Sequence, residues 1–129
     1  MKDKTCEERI DAELKRELET LKGYGNDFDA LDAHALCFDY VEAGTFEDQD
    51  EPYFRWQISW GGPSDEFRFF VQNGDELERV EYWFLDWFDG ACRKIDEEVI
   101  NDIWESYLLT YAQDMMAPPT EPTPFWKFQ

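Results

Sequence analysis

Between Tyr53 and Trp60 the side chains alternate. Phe54, Trp56, Ile58 and Trp60 are apolar, and Tyr53, Arg55, Gln57 and Ser59 separate them. Period 2 with one apolar face predicts a half-buried β-strand and therefore a sheet with a covered side. Turn signals flank it. Gly61-Gly62-Pro63-Ser64-Asp65 supplies two glycines and a proline that no central ladder accepts. A second strand follows over 66–72, and Asn73-Gly74 is a hairpin turn signal before a third run, 76–88. With a short strand over 35–41 ahead of them, these segments make a four-stranded antiparallel meander.

Helices flank the sheet. Thr5 with Glu8 three residues later is a capping-box pattern, and Ile10, Leu14, Leu18 and Leu21 continue it as one apolar stripe over a helix 5–22. Gly23 closes that helix, and 23–27 is a connecting loop. Ile95, Val99, Ile103, Trp104, Tyr107, Leu108, Tyr111 and Met115 predict a second helix over 95–115. Residues 117–129, with Pro118, Pro119, Pro122 and Pro124, form an extended tail ending in Phe125 and Trp126. The expected fold is one α+β domain spanning 1–129: a four-stranded antiparallel sheet in the region 35–88, with the N-terminal and C-terminal helices packed on one face.

Charge then restricts function. Lys and Arg number 12 against 31 Asp and Glu, a net charge of −19. Direct binding to DNA, RNA or an anionic membrane would work against repulsion with no counterion release. No apolar run reaches the ~20 residues of a membrane span, and the basic start has no apolar region after it, so a cytoplasmic protein is expected. Cys6, Cys37 and Cys92 form no Cys-x-x-Cys pair, which favours free thiols. With His34 they fall short of a convincing zinc set, and His34 and Cys37 would point to opposite faces of a strand. The acidic loops 27–32 and 47–51 miss EF-hand spacing. No nucleophile elbow, P-loop or dinucleotide motif is present. The expectation is no catalytic residue, no metal and no cofactor.

The acids are unevenly placed. Nine lie between Gly23 and Phe54 with no Lys or Arg among them, including Asp27, Asp29, Asp32, Glu47, Asp48, Asp50 and Glu51. Seven more lie between Ile95 and Trp126, again without a cation, including Asp96, Glu97, Glu98 and Asp102. A solvated, solubility-promoting surface is one reading. The other is a partner-binding surface, since helical i, i+4 and strand i, i+2 spacings set carboxylates ~5–7 Å apart, suited to a basic groove. The run 82–88 is apolar on both sides of its strand. Either its second face lies under Phe125, Trp126 and Phe128, or Trp83 and Trp87, with Phe125 and Trp126, are anchors for a partner or a second copy.

In composition and in the acid stretches 27–51 and 96–105, the chain resembles the small DNA-mimic inhibitors that phages and mobile elements direct against host defences, of the anti-CRISPR and antirestriction type. The resemblance implies a non-enzymatic inhibitor that binds a basic nucleic-acid-binding protein, acting in the host cytoplasm. Two alternatives stand beside it: an immunity or antitoxin protein neutralising a basic nuclease toxin, and an acidic domain or small enzyme whose charge serves solubility.

Overall fold

The computed structural model describes residues 4–72 and 76–116. The Asn73-Gly74 turn and the tail 117–129, with Phe125 and Trp126, lie outside the described residues.

Helix α1, Cys6–Tyr24, starts where the capping box places it. Thr5 Oγ1 accepts the Glu8 backbone N–H at 3.2 Å, and the Glu8 carboxylate accepts from the Thr5 N–H. A second tie fixes that end: the Cys6 N–H donates to Asp89 Oδ2 at 2.7 Å. The helix runs through Gly23 and stops at Gly25, whose φ of +57° combined with ψ of −125° suits a residue without Cβ. What reads as a loop is therefore shorter. Asp27 accepts the Ala30 N–H and caps a further short helix, α2, Phe28–His34, which buries only Leu31.

The sheet has five strands in the order β1-β2-β3-β4-β5, all antiparallel: Cys37–Val41, Tyr53–Ser59, Ser64–Gln72, Glu76–Asp86 and Asp89–Ile95. The expected meander is present with one strand more than the four expected. The difference lies at 87–95. The run 76–88 ends at Asp86, which pairs with Asp89 across a two-residue turn of Trp87 and Phe88. Residues 89–95 then return as β5, so Ile95 opposes Val80 in the sheet and does not open a helix. The helix begins at Glu98 instead. Segment α3, Glu98–Ile103, runs through a π turn, Trp104–Leu108, into α4, Leu109–Met116.

The helices cover one face, as the alternation requires. Phe54, Trp56, Ile58, Phe67, Phe69, Tyr82 and Phe84 join Ile10, Leu18, Leu21, Ile103 and Leu108 in one buried cluster. Trp104 is the helical centre of it: its ring stacks on Phe69 at 5.0 Å and meets Phe54 at 5.8 Å. Trp60 does not join Trp56 and Ile58. A bulge between Gln57 and Ser59 breaks the alternation, and Trp60 falls beyond the strand, exposed.

Replacing Trp104 by Ala should lower the unfolding free energy by about 3–5 kcal/mol, read by chemical denaturation. The Asp89 tie makes a pH prediction. The Cys6 N–H holds the Asp89 carboxyl below the usual range. Its contribution is therefore full above the ordinary carboxylate pKa of ~3.9 and fades as pH falls through the lowered folded value. Asp89→Asn should reduce Tm at neutral pH, with the deficit shrinking in acid; a deficit that grows in acid would contradict this assignment.

Candidate functional site

A meander delivers alternate connections to the same end of its sheet. The β1–β2 loop (42–52), the start of β4 and the exit of β5 into α3 all emerge together. Three acidic groups separated in sequence meet there. Glu47, Asp48 and Asp50 come from the loop, Glu76 and Glu78 from β4, and Asp96, Glu97 and Glu98 from the β5–α3 junction. A cleft of about 620 Å³ lies between β4 and the helix, lined by Glu76, Glu78, Asp96 and Glu105. On the other side of Arg79, a second cleft of about 420 Å³ runs under the loop acids 47–51. A third joins Glu98 and Asp102 to the α1–α2 loop at Gly25 and Asn26. These clefts make the acids one band around the end of the sheet.

The density of the band is its main physical property. Glu47, Asp48, Asp50, Glu76, Asp96, Glu97, Glu98, Asp102 and Glu105 make no ion pair among the described residues. Five strands at ~4.8 Å spacing span ~19 Å, and seven of the nine gather at the end of that width, with Asp102 and Glu105 farther along the helix. Lys22 lines the third cleft and Lys94 the first.

The arginines are paired within the chain, Arg68 and Arg79 beside the second cleft. Each of the six is bound to a carboxylate: Arg9 to Asp86, Arg16 to Glu13, Arg55 to Asp39, Arg68 to Glu66, Arg79 to Glu51 and Glu81, and Arg93 to Glu7 and Asp11. Three of them close the sheet face opposite the helices. The Arg68 guanidinium lies 3.8 Å from the ring centre of Trp83 and 4.6 Å from that of Tyr53, while Arg79 lies 3.7 Å above Phe70. Arg55 grips Asp39 with two hydrogen bonds of 3.0 and 2.7 Å. Beneath them Val41, Tyr53 and Phe70 form a second small core. Burial pushes the Tyr53 hydroxyl pKa up, and its oxygen finds no hydrogen-bond partner among the described residues.

Several expected contact residues have other duties. Glu51 is bound by Arg79 through both oxygens, at 3.0 and 3.3 Å. Asp27 caps α2, and Asp32 accepts a hydrogen bond from the Tyr107 hydroxyl, tying α2 to the π turn. Asp29 is exposed on α2. Trp83 is no free anchor: it is half-buried under Arg68, and its indole N–H donates to Glu81 at 3.0 Å. Trp87 is exposed at the opposite end of the sheet from the acids. Sequence reasoning missed Glu76 and Glu78 as members of the band. Their i, i+2 spacing just after a hairpin turn placed them on the same end as loop 47–51, a signal readable from the meander.

Glu17, His34 and Tyr24 tie α1 to α2. His34 Nε2 contacts the Glu17 carboxylate, and its Nδ1 lies 3.3 Å from the Tyr24 hydroxyl. Desolvation raises the Glu17 pKa against the opposing pull of His34. Cys37 is exposed on β1 and bonds Gln57, apart from His34. Among the described residues no group of three His, Cys, Asp or Glu side chains is arranged to hold a metal ion, and no helix is long and apolar enough to cross a membrane.

Comparison of the chain with protein-family models, with curated proteins and with solved structures finds no match.

The closed arginine face is testable. Tyr53→Phe removes a buried hydroxyl that lacks a protein partner while keeping the ring under Arg68. It should leave the protein as stable or raise stability by about 1 kcal/mol in denaturant titration. A loss of that size would mean that the hydroxyl is held.

Proposed function

We propose that this protein is a non-enzymatic inhibitor that presents its acidic band to the basic nucleic-acid-binding surface of another protein. The target class is that of the inhibitors it resembles: nucleases and effector complexes of host defence, of the CRISPR and restriction kind. One observation carries the reading. Acid stretches far apart in sequence converge on one end of the sheet, where most of their carboxylates make no ion pair among the described residues, while every arginine is neutralised from within. Solubility needs net charge, which a dispersed arrangement would supply with less self-repulsion.

The band would act in two ways. Its field steers a basic groove onto it, raising the association rate, and its carboxylates then replace phosphates as partners for Arg and Lys side chains. The i, i+4 pair Glu98 and Asp102 on α3 and the i, i+2 pair Glu76 and Glu78 on β4 offer oxygens ~5–7 Å apart.

The experiment neutralises the band in two halves. Glu47→Gln, Asp48→Asn and Asp50→Asn together remove loop charges, and Asp96→Asn, Glu97→Gln and Glu98→Gln together remove those of the junction. Each triple variant should keep its Tm within a few degrees, because none of these residues makes an ion pair among the described residues. Affinity for the target should fall at least tenfold, about 1.4 kcal/mol, mostly through a slower on-rate, and wild-type binding should weaken with salt. Nucleic acid should compete for the target and bind neither form of this protein. Undiminished inhibition by both variants at physiological salt would reduce the band to a solubility device.

A further inference from the structure

We propose that this chain pairs with a second copy of itself through the aromatic tips of its β2–β3 and β4–β5 turns. Both turns emerge at the end of the sheet away from the acidic band, and they are adjacent: Ser64 pairs with Leu85, and Gly62 lies against Asp86. Trp60, Trp87 and Phe88 stand on them with 75%, 89% and 104% of their surface exposed. Trp87 also holds a φ of +57°, a left-handed conformation that disfavours a bulky side chain. With φ positive at the first of its two central residues alone, this is a turn of the II′ kind, which a Gly in place of Trp87 would fill without that strain. The chain instead keeps two large rings there, in solvent, against both turn propensity and solubility.

Area and charge together select a second copy as the occupant. One aromatic side chain buries ~150–250 Å², so three from each of two molecules bury roughly 900–1,500 Å², which reaches the ~1,200 Å² lower bound of stable interfaces. A tip-to-tip contact is isologous, the same patch serving both molecules. Two chains of net charge −19 repel over most of their surfaces. At this end the repulsion is reduced, because Asp86, beside the tips, is paired with a cation. Asp86 holds Arg9 at 2.7 Å, and Asp89 accepts the Cys6 N–H. Asp65 and Asp89 near the tips have neutral hydrogen-bond partners, and the loop and junction acids of the band lie a strand length away, ~36 Å along the eleven residues of β4, or about four Debye lengths at physiological salt. A bilayer is the poorer occupant, since Asp86 and Asp89 flank the tip and would enter the headgroup layer with it.

The test is sedimentation equilibrium of the full chain at about 50 mM and about 500 mM salt, where screening differs severalfold. A reversible dimer is expected that tightens at least threefold as salt rises, opposite in sign to target binding. Trp87→Gly with Phe88→Asn puts glycine at the positive-φ position of the turn and should keep or raise Tm while weakening the dimer at least tenfold. Trp60→Ser, at an exposed position, should weaken it independently. Neutralising the acidic band should leave the dimer intact or tighten it, so failure of this contact and failure of the inhibitor reading are separable. A wild-type chain that stays monomeric to about 100 µM in both buffers overturns the proposal. So does a dimer unaffected by both tip variants, which would place the contact at residues 117–129 or a sheet edge. Tip-dependent pelleting of a monomer with phosphatidylcholine vesicles would assign the tips to lipid instead.

Discussion

The alternation of a meander sorts the chemistry of this molecule. Each strand reverses the chain, so the β1–β2 loop, the start of β4 and the exit from β5 share one end, and the β2–β3 and β4–β5 turns share the other. The acids occupy the first end and the exposed aromatics the second. The fifth strand is decisive for this. With four strands the helix would leave from the Trp87 end, and Asp96, Glu97 and Glu98 would stand beside the aromatic tips. The seven residues of β5 carry them back ~23 Å, to the loop that bears Glu47, Asp48 and Asp50.

A second consequence concerns the basic residues. A five-stranded sheet with helices on one side has another face to close, and this chain closes it with side chains of the sheet itself. Arg68 lies between Tyr53 and Trp83, and Arg79 lies on Phe70, each pinned by carboxylates. Flat guanidinium groups on aromatic rings exclude water from Tyr53 and Phe70, with cation–π attraction of ~0.5–2 kcal/mol for each contact. The same arrangement withdraws cations from the surface. Lysine, a compact and strongly hydrated charge, would not lie flat over two rings in this way. Arg55, Arg68 and Arg79 serve this face of the sheet, and the other three arginines are each paired with a carboxylate.

Much of the fold was legible because local signals agreed. Thr5 and Glu8 named the start of α1, and the alternation of Phe54, Trp56 and Ile58 named the covered face. The acidic band was half legible: its members at 47–51 and 96–98 stood out by composition, but only a correct strand count brings them together. The count failed at Trp87-Phe88, a turn with no Gly, Asn, Asp or Pro, which reads as more strand because its residues favour strands. Helix α2 was hidden for a different reason. It buries one residue, so it carries almost no periodicity, and only Asp27 as a cap could have announced it. Trp83 misled in the opposite direction: its burial depends on Arg68, two positions from Glu66 on a neighbouring strand, which no pattern within 82–88 reveals.

The band also has an energetic side. Two unit charges ~7 Å apart in water repel by about 0.6 kcal/mol, and physiological salt reduces this by more than half. Several such neighbouring pairs therefore burden the folded state by up to roughly 2 kcal/mol relative to the same charges spread apart. That is tolerable for a domain whose net stability is of the order of 5–15 kcal/mol, but it is not negligible. The aromatic core under Trp104 is what bears it. Charge kept for solubility has no reason to collect where it repels most, and a cationic partner would relieve the repulsion on contact. The concentration of unpaired acid, more than its amount, is what distinguishes a surface built to meet cations from one that is merely hydrated.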